Sequence, residues 1–65
     1  MVEIERTMDA VRLSVLRSLL TDAGIESFVF DAGAGALWNG AIPTRLMVRD
    51  EDAELARRAI EQAGL

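Results

Sequence analysis

The stretch Gly40-Ala-Ile-Pro-Thr-Arg-Leu-Met-Val-Arg-Asp-Glu-Asp-Ala53 decides how this chain reads. A glycine-containing loop gives way to a strand, and the strand runs directly into a helix. Pro43 marks the strand entrance, because its fixed φ and missing N–H suit an end and not the middle of a sheet. Leu46 and Val48 alternate with Arg45, Met47 and Arg49, which is the period of a strand with one buried face. Asp50 is placed to cap the helix that follows, and Glu51 and Asp52 set negative charge against its positive dipole end.

Working back from that stretch, Val2 and Ile4 alternate with Glu3 and Glu5 and predict a first strand. Asp9 stands where a helix N-cap belongs. The helix behind it gathers Leu13, Leu16, Leu19, Leu20 and Ala23 on one face, widened by Val15, and so should lie on a sheet. Gly24 ends it at the position that favours a left-handed residue. Residues 25–30 predict a second strand, with Phe28 and Phe30 on one face and Ser27 and Val29 on the other. Residues 31–40 are a loop by composition. The last helix collects Leu55, Ala56, Ala59, Ile60 and Ala63 on its apolar face, carries a Glu54–Arg58 pair at i,i+4, and stops at Gly64.

The segment Leu20-Thr-Asp-Ala-Gly-Ile25 is echoed by Ile60-Glu-Gln-Ala-Gly-Leu65, each after a strand-then-helix unit. The element order is β-α-β-β-α. A right-handed crossover, with the third strand inserted between the first two, gives a three-stranded antiparallel sheet in the order 1-3-2. With two helices on one face, residues 1–65 form a single α+β domain, a truncated ferredoxin-like sandwich. Arg45, Met47 and Arg49 should point to the face the helices leave open, joined by Val29. The first strand is an edge, and its glutamates discourage stray pairing.

Composition bounds the function. A chain of 65 residues buries only about 60% of its unfolded surface, and it has no cysteine to staple it. Dimerisation or an efficiently packed apolar core is the expected supplement, and a homodimer covering the open sheet face or edge is the expected assembly. The apolar fraction of 51% argues against disorder. Eleven acidic residues against seven arginines give a net charge of −4, which leaves no basic stripe for nucleic acid. The longest uncharged run, residues 32–44, is broken by glycine and shorter than the ~18 residues of a membrane span. The acidic N-terminal stretch is unlike a signal peptide. A cytoplasmic protein without membrane contact is expected.

Catalysis finds little material. Histidine, cysteine, lysine and tyrosine are all absent, so the usual nucleophile–base pairs cannot be assembled. No catalytic residue, metal site or cofactor is assigned. Asp50, Glu51 and Asp52 lack the glycine and distant glutamate of a calcium loop and read as helix-start charge.

The run from Arg6-Thr-Met-Asp9, through Leu19-Leu20 and Asp22-Ala-Gly-Ile25, to Gly40-Ala-Ile-Pro-Thr-Arg-Leu-Met-Val48, then Asp50, Asp52-Ala and Ala56-Arg57, resembles a known family. It is that of the putative prokaryotic signal-transducing proteins, a domain-of-unknown-function family with a ferredoxin-like fold similar to the PII nitrogen regulators. The resemblance covers nearly the whole chain and implies a bacterial regulatory protein without a characterised activity. Metal-binding or membrane segments found in some members have no counterpart here. The PII functional loop corresponds to residues 31–44, which are shorter and lack a lysine or tyrosine to modify; that analogy concerns fold, not function.

Five residues remain as candidate contacts. Gly33 and Gly35 let backbone N–H groups approach an anion, although they lead into a strand and not a helix, as a plain connection also would. Trp38 is either a partner-binding anchor or a cap on the small core. Arg45 and Arg49 can clamp a carboxylate or phosphate, or pair across strands with Glu3, Glu5 or Glu26. The expected function is a non-enzymatic regulatory or protein-interaction module, with an unidentified protein partner. The alternative is a sensor of a small anion or nucleotide through residues 31–44.

Overall fold

The computed structural model describes residues 1–30 and 43–65. Its elements run β1 (Val2–Thr7), α1 (Ala10–Asp22), β2 (Ser27–Phe30), β3 (Thr44–Val48) and α2 (Ala53–Gln62). A 3-10 turn, Asp50–Asp52, leads into α2. The sheet is antiparallel with β3 between β1 and β2. This is the truncated ferredoxin-like α+β fold that the periodicity predicts.

Local chemistry accounts for the ends of α1. The Asp9 carboxylate accepts hydrogen bonds from the N–H groups of Val11 (2.9 Å) and Arg12 (3.1 Å), and the Thr7 hydroxyl accepts one from Asp9 N–H. At the other end Gly24 adopts φ 78°. There Gly24 N–H donates to Thr21 and Ile25 N–H to Leu20, the double bond of a Schellman cap. The echoed segment behaves identically. Gly64 sits at φ 75°, with Gly64 N–H on Glu61 and Leu65 N–H on Ile60. The sequence repeat is thus a repeat of one capping motif.

The start of α2 differs from expectation. Asp50 is drawn into the 3-10 turn, and neither Arg49 nor Asp52 makes a side-chain cap. The Met1 ammonium, 2.8 Å from Asp50, occupies that carboxylate instead. Charge near the dipole end, without a side-chain cap, is what the acidic run supplies.

The core unites both helices with one face of the sheet. Leu16 and Leu20 of α1, Ala53 and Ala56 of α2, Leu46 and Val48 of β3, and Ile25 are buried together. Val2, Ile4, Leu13, Val29 and Ile60 pack around them. Val29 therefore belongs to the helix-covered face, opposite Leu46, and Phe28 and Phe30 take the open one. The register decides this: residues opposed across a ladder share a face, and Ser27 and Val29 oppose the buried Val48 and Leu46. Val15 and Leu55 do not reach the core either, being 45% and 56% exposed. Each lies beyond the arc of helix surface that touches the sheet.

Leu46 is fully buried on the central strand. Its replacement by alanine should cost about 2–5 kcal/mol, comparable to the entire ~3–5 kcal/mol a core of this size supplies. Urea denaturation followed by circular dichroism should show Leu46→Ala largely unfolded. Gly24→Ala should remain folded and lose about 1–2 kcal/mol, from the left-handed φ, because a Cβ there meets nothing within 4 Å.

Candidate functional site

The geometry of the open face is set by one irregularity. Glu3 lies opposite Met47, but Glu5 lies opposite Leu46, so β1 spends two residues where β3 spends one. Ile4 is the extra residue of a β-bulge. Strict alternation would set Glu5 across from Arg45 on the open face. The bulge instead carries Glu5 to the helix side, beside Leu46, and brings Arg6 opposite Arg45.

On the helix side Glu5 meets Arg12 of α1. The guanidinium engages both carboxylate oxygens, Nε on Oε2 and Nη2 on Oε1 at 2.8 Å. Nη2 also donates to the main-chain oxygen of Leu65 at 2.8 Å. One arginine thus ties β1, α1 and the end of α2 together. Hydrogen bonding from Arg12 holds the Glu5 carboxyl below its ordinary value, against the opposing effect of burial. The same contact raises Arg12. At the remote end of β3, hydrogen bonding from the Met1 ammonium, with its charge, lowers Asp50.

On the open side the side chains fall into rows. Arg6, Arg45 and Phe30 form one row, and Glu3, Met47 and Phe28 the next. Arg6 binds Glu3 at 2.9 Å. Arg49 binds Glu26 at 2.6 Å and lies over the Phe28 ring, 5.3 Å from its centroid. Phe30 is 42% exposed. Arg45 is exposed and has no carboxylate partner among the described residues. No described residue packs across Phe28, Phe30 and Met47 as the helices do across Leu46 and Val48.

Of the residues singled out from the sequence, Arg45 and Arg49 share this face but have different surroundings. Arg49 is engaged in the cross-strand pair with Glu26, one of the two roles open to it. Arg45 faces Arg6, not the Glu5 that alternation would supply. Gly33, Gly35 and Trp38 lie outside the described residues, as does all of the glycine-rich stretch except its end, residues 43–44. Sequence reasoning missed two members of the face, Phe28 and Phe30, and the Glu5–Arg12 contact. The spacing Glu5–Arg12 crosses a strand end and a helix start, where no periodicity links two positions. A shallow groove on α1, bordered by Leu13, Ser14, Arg17 and Thr21, brings together no second charged group besides Asp22. Among the described residues no helix is long and apolar enough to cross a membrane.

The fold and this face define a small α+β domain with one sheet surface open. The chain belongs to the family described as "Putative prokaryotic signal transducing protein", which matches residues 1–64. No curated protein and no solved structure matches it.

The Glu5–Arg12 contact has a pH signature. A carboxyl with a depressed folded pKa stabilises the fold above its unfolded value, about 4.3, and that contribution is lost as pH falls through the folded value. The thermal midpoint should therefore fall on acidification below about pH 4.3. In Glu5→Gln the midpoint should be lower at neutral pH and the acid-side fall shallower. If the loss is about 1 kcal/mol, the neutral midpoint drops by about 4–8 °C. Melting curves of both proteins between neutral and acid pH read this directly.

Proposed function

We propose that this chain is a non-enzymatic regulatory module that acts by binding another protein, in the prokaryotic cytoplasm, and that it works as a homodimer. Family membership supports the signalling role. The observation that carries the binding role is the open sheet face, where Phe28, Phe30 and Met47 stand among arginines and, among the described residues, no helix lies over them. Exposed apolar side chains set in a polar rim mark contact surfaces. The absence of histidine, cysteine, lysine and tyrosine from the sequence supports a binding role over a catalytic one. The small core supports dimerisation, since seven residues, two of them alanine, make up its buried part among the described residues.

The small-anion sensor is the second reading, and Arg45 facing Arg6 favours it. The two readings separate in one titration, with Trp38, the chain's single tryptophan, as reporter. Nucleotides, inorganic phosphate and small carboxylates should leave its fluorescence unchanged if the module binds proteins. A saturable change with any of them would replace that reading by the sensor. Light scattering on the same samples should give twice the chain mass, and a monomer mass would overturn the dimer.

A further inference from the structure

We propose that the open sheet face receives an acidic, extended segment of a partner protein that carries carboxylates and apolar side chains in turn along one of its faces. Arg45 binds a carboxylate, and Phe28, Phe30 and Met47 take the apolar groups. This rests on the reading of the face as a contact surface and adds the chemistry of what it contacts.

The argument is one of charge. Among the described residues the face presents three arginines and two glutamates, and both glutamates are already held, Glu3 by Arg6 and Glu26 by Arg49, which leaves Arg45. The face is therefore a positive island on a chain of net charge −4. Arg45 is also directly opposite Arg6, and like charges at opposed positions of neighbouring strands repel. A bulge that creates such a pair, where alternation would have set Glu5 against Arg45, leaves an anion-shaped vacancy in the charge pattern. Guanidinium groups suit carboxylates, which they grip through two parallel hydrogen bonds.

The apolar rows select what carries the carboxylate. Phe30 adjoins Arg45 and Phe28 adjoins Met47, and along β3 the open-face positions Arg45, Met47 and Arg49 alternate charge with apolar surface at every second residue. An extended peptide matches both when the side chains on one of its faces, every second residue, run acidic, apolar, acidic. Free phosphate would use the arginines and waste the aromatic rings. A second copy would bring the same unbalanced Arg45 to the contact, opposing like charge with like. Nucleic acid would meet a chain of net negative charge.

The test uses the full chain and two synthetic peptides, one repeating glutamate-serine-leucine-serine, so that glutamate and leucine share one face when extended, and its lysine-for-glutamate counterpart. NMR signals of the Arg45 side-chain Nε–H and the Met47 methyl report on the face. The acidic peptide should shift both saturably, more weakly as salt rises, and the lysine peptide should not. Arg45→Glu should weaken the acidic peptide about tenfold or more, the loss expected for a charge-assisted hydrogen bond. Arg17→Glu, on α1 away from the face, should bind as the unaltered chain does. Circular dichroism confirms that both variants are folded. The proposal is overturned by no saturable shift, by equal binding of the lysine peptide, or by undiminished binding to folded Arg45→Glu. It is also overturned if inorganic phosphate alone gives the same shifts, or if Arg45→Glu converts a dimer to a monomer, which would make the face a contact between copies. Acidic-peptide binding by a chain of monomer mass would leave it standing and remove only the dimer.

Discussion

One extra residue in β1 governs both sides of this sheet. The bulge at Ile4 lets Ile4 and Glu5 both address the helix layer, one to the apolar core and the other to Arg12. Arg12 in turn reaches the Leu65 main chain, so a strand, the first helix and the end of the second are joined at a single guanidinium. A pair half withdrawn from water contributes less through net energy than through geometry, since breaking it leaves a desolvated charge without a partner. The same bulge shifts every later residue of β1 by one place. Arg6 thereby reaches the open face. Structure on one side and charge pattern on the other are consequences of one backbone irregularity.

Much of this was legible in the sequence, and the parts that were not share a cause. The strand at residues 44–48, the Asp9 cap, the glycine-terminated helices and the 1-3-2 strand order follow from local rules: alternation, capping chemistry and crossover handedness. The echo of Ala-Gly-Ile in Ala-Gly-Leu proved to be a repeated Schellman cap, because three residues suffice to specify it. By contrast, the placement of Val29 beneath the helices depends on its register with β3, opposite the buried Leu46. The exposure of Val15 and Leu55 depends on the width of the contact between helix and sheet. The bulge is invisible in Val2-Glu3-Ile4-Glu5, where perfect alternation argues against it. Local patterns cannot register a choice made by tertiary contact. For the candidate site the outcome was correspondingly mixed: Arg45 and Arg49 lie on the open face as alternation requires, whereas the partners of each were settled by the bulge and by Glu26.

The two faces of the sheet divide the work by chemistry. Beneath the helices Leu46 and Val48 are fully buried, and the charged pair admitted there sits at the margin. On the other face aromatic and thioether groups are interleaved with arginines, and the pairing of Glu26 with Arg49 over Phe28 keeps one ring partly covered. Such a surface resists indiscriminate association, because each apolar group has a charged neighbour that a careless partner would have to desolvate.

A small core makes occupancy of that face matter beyond the contact itself. Anything bound to the folded chain and not to the unfolded one adds stability in proportion to the logarithm of its concentration, about 2.7 kcal/mol at one hundred times its dissociation constant. The core of a domain this size supplies only about 3–5 kcal/mol. Anything bound at the open sheet face would therefore contribute an energy comparable to that of the whole fold. β3 links the two, with Arg45 and Met47 on its open face while Leu46 and Val48 pack beneath the helices. Whatever steadies that strand from one face steadies the core on the other.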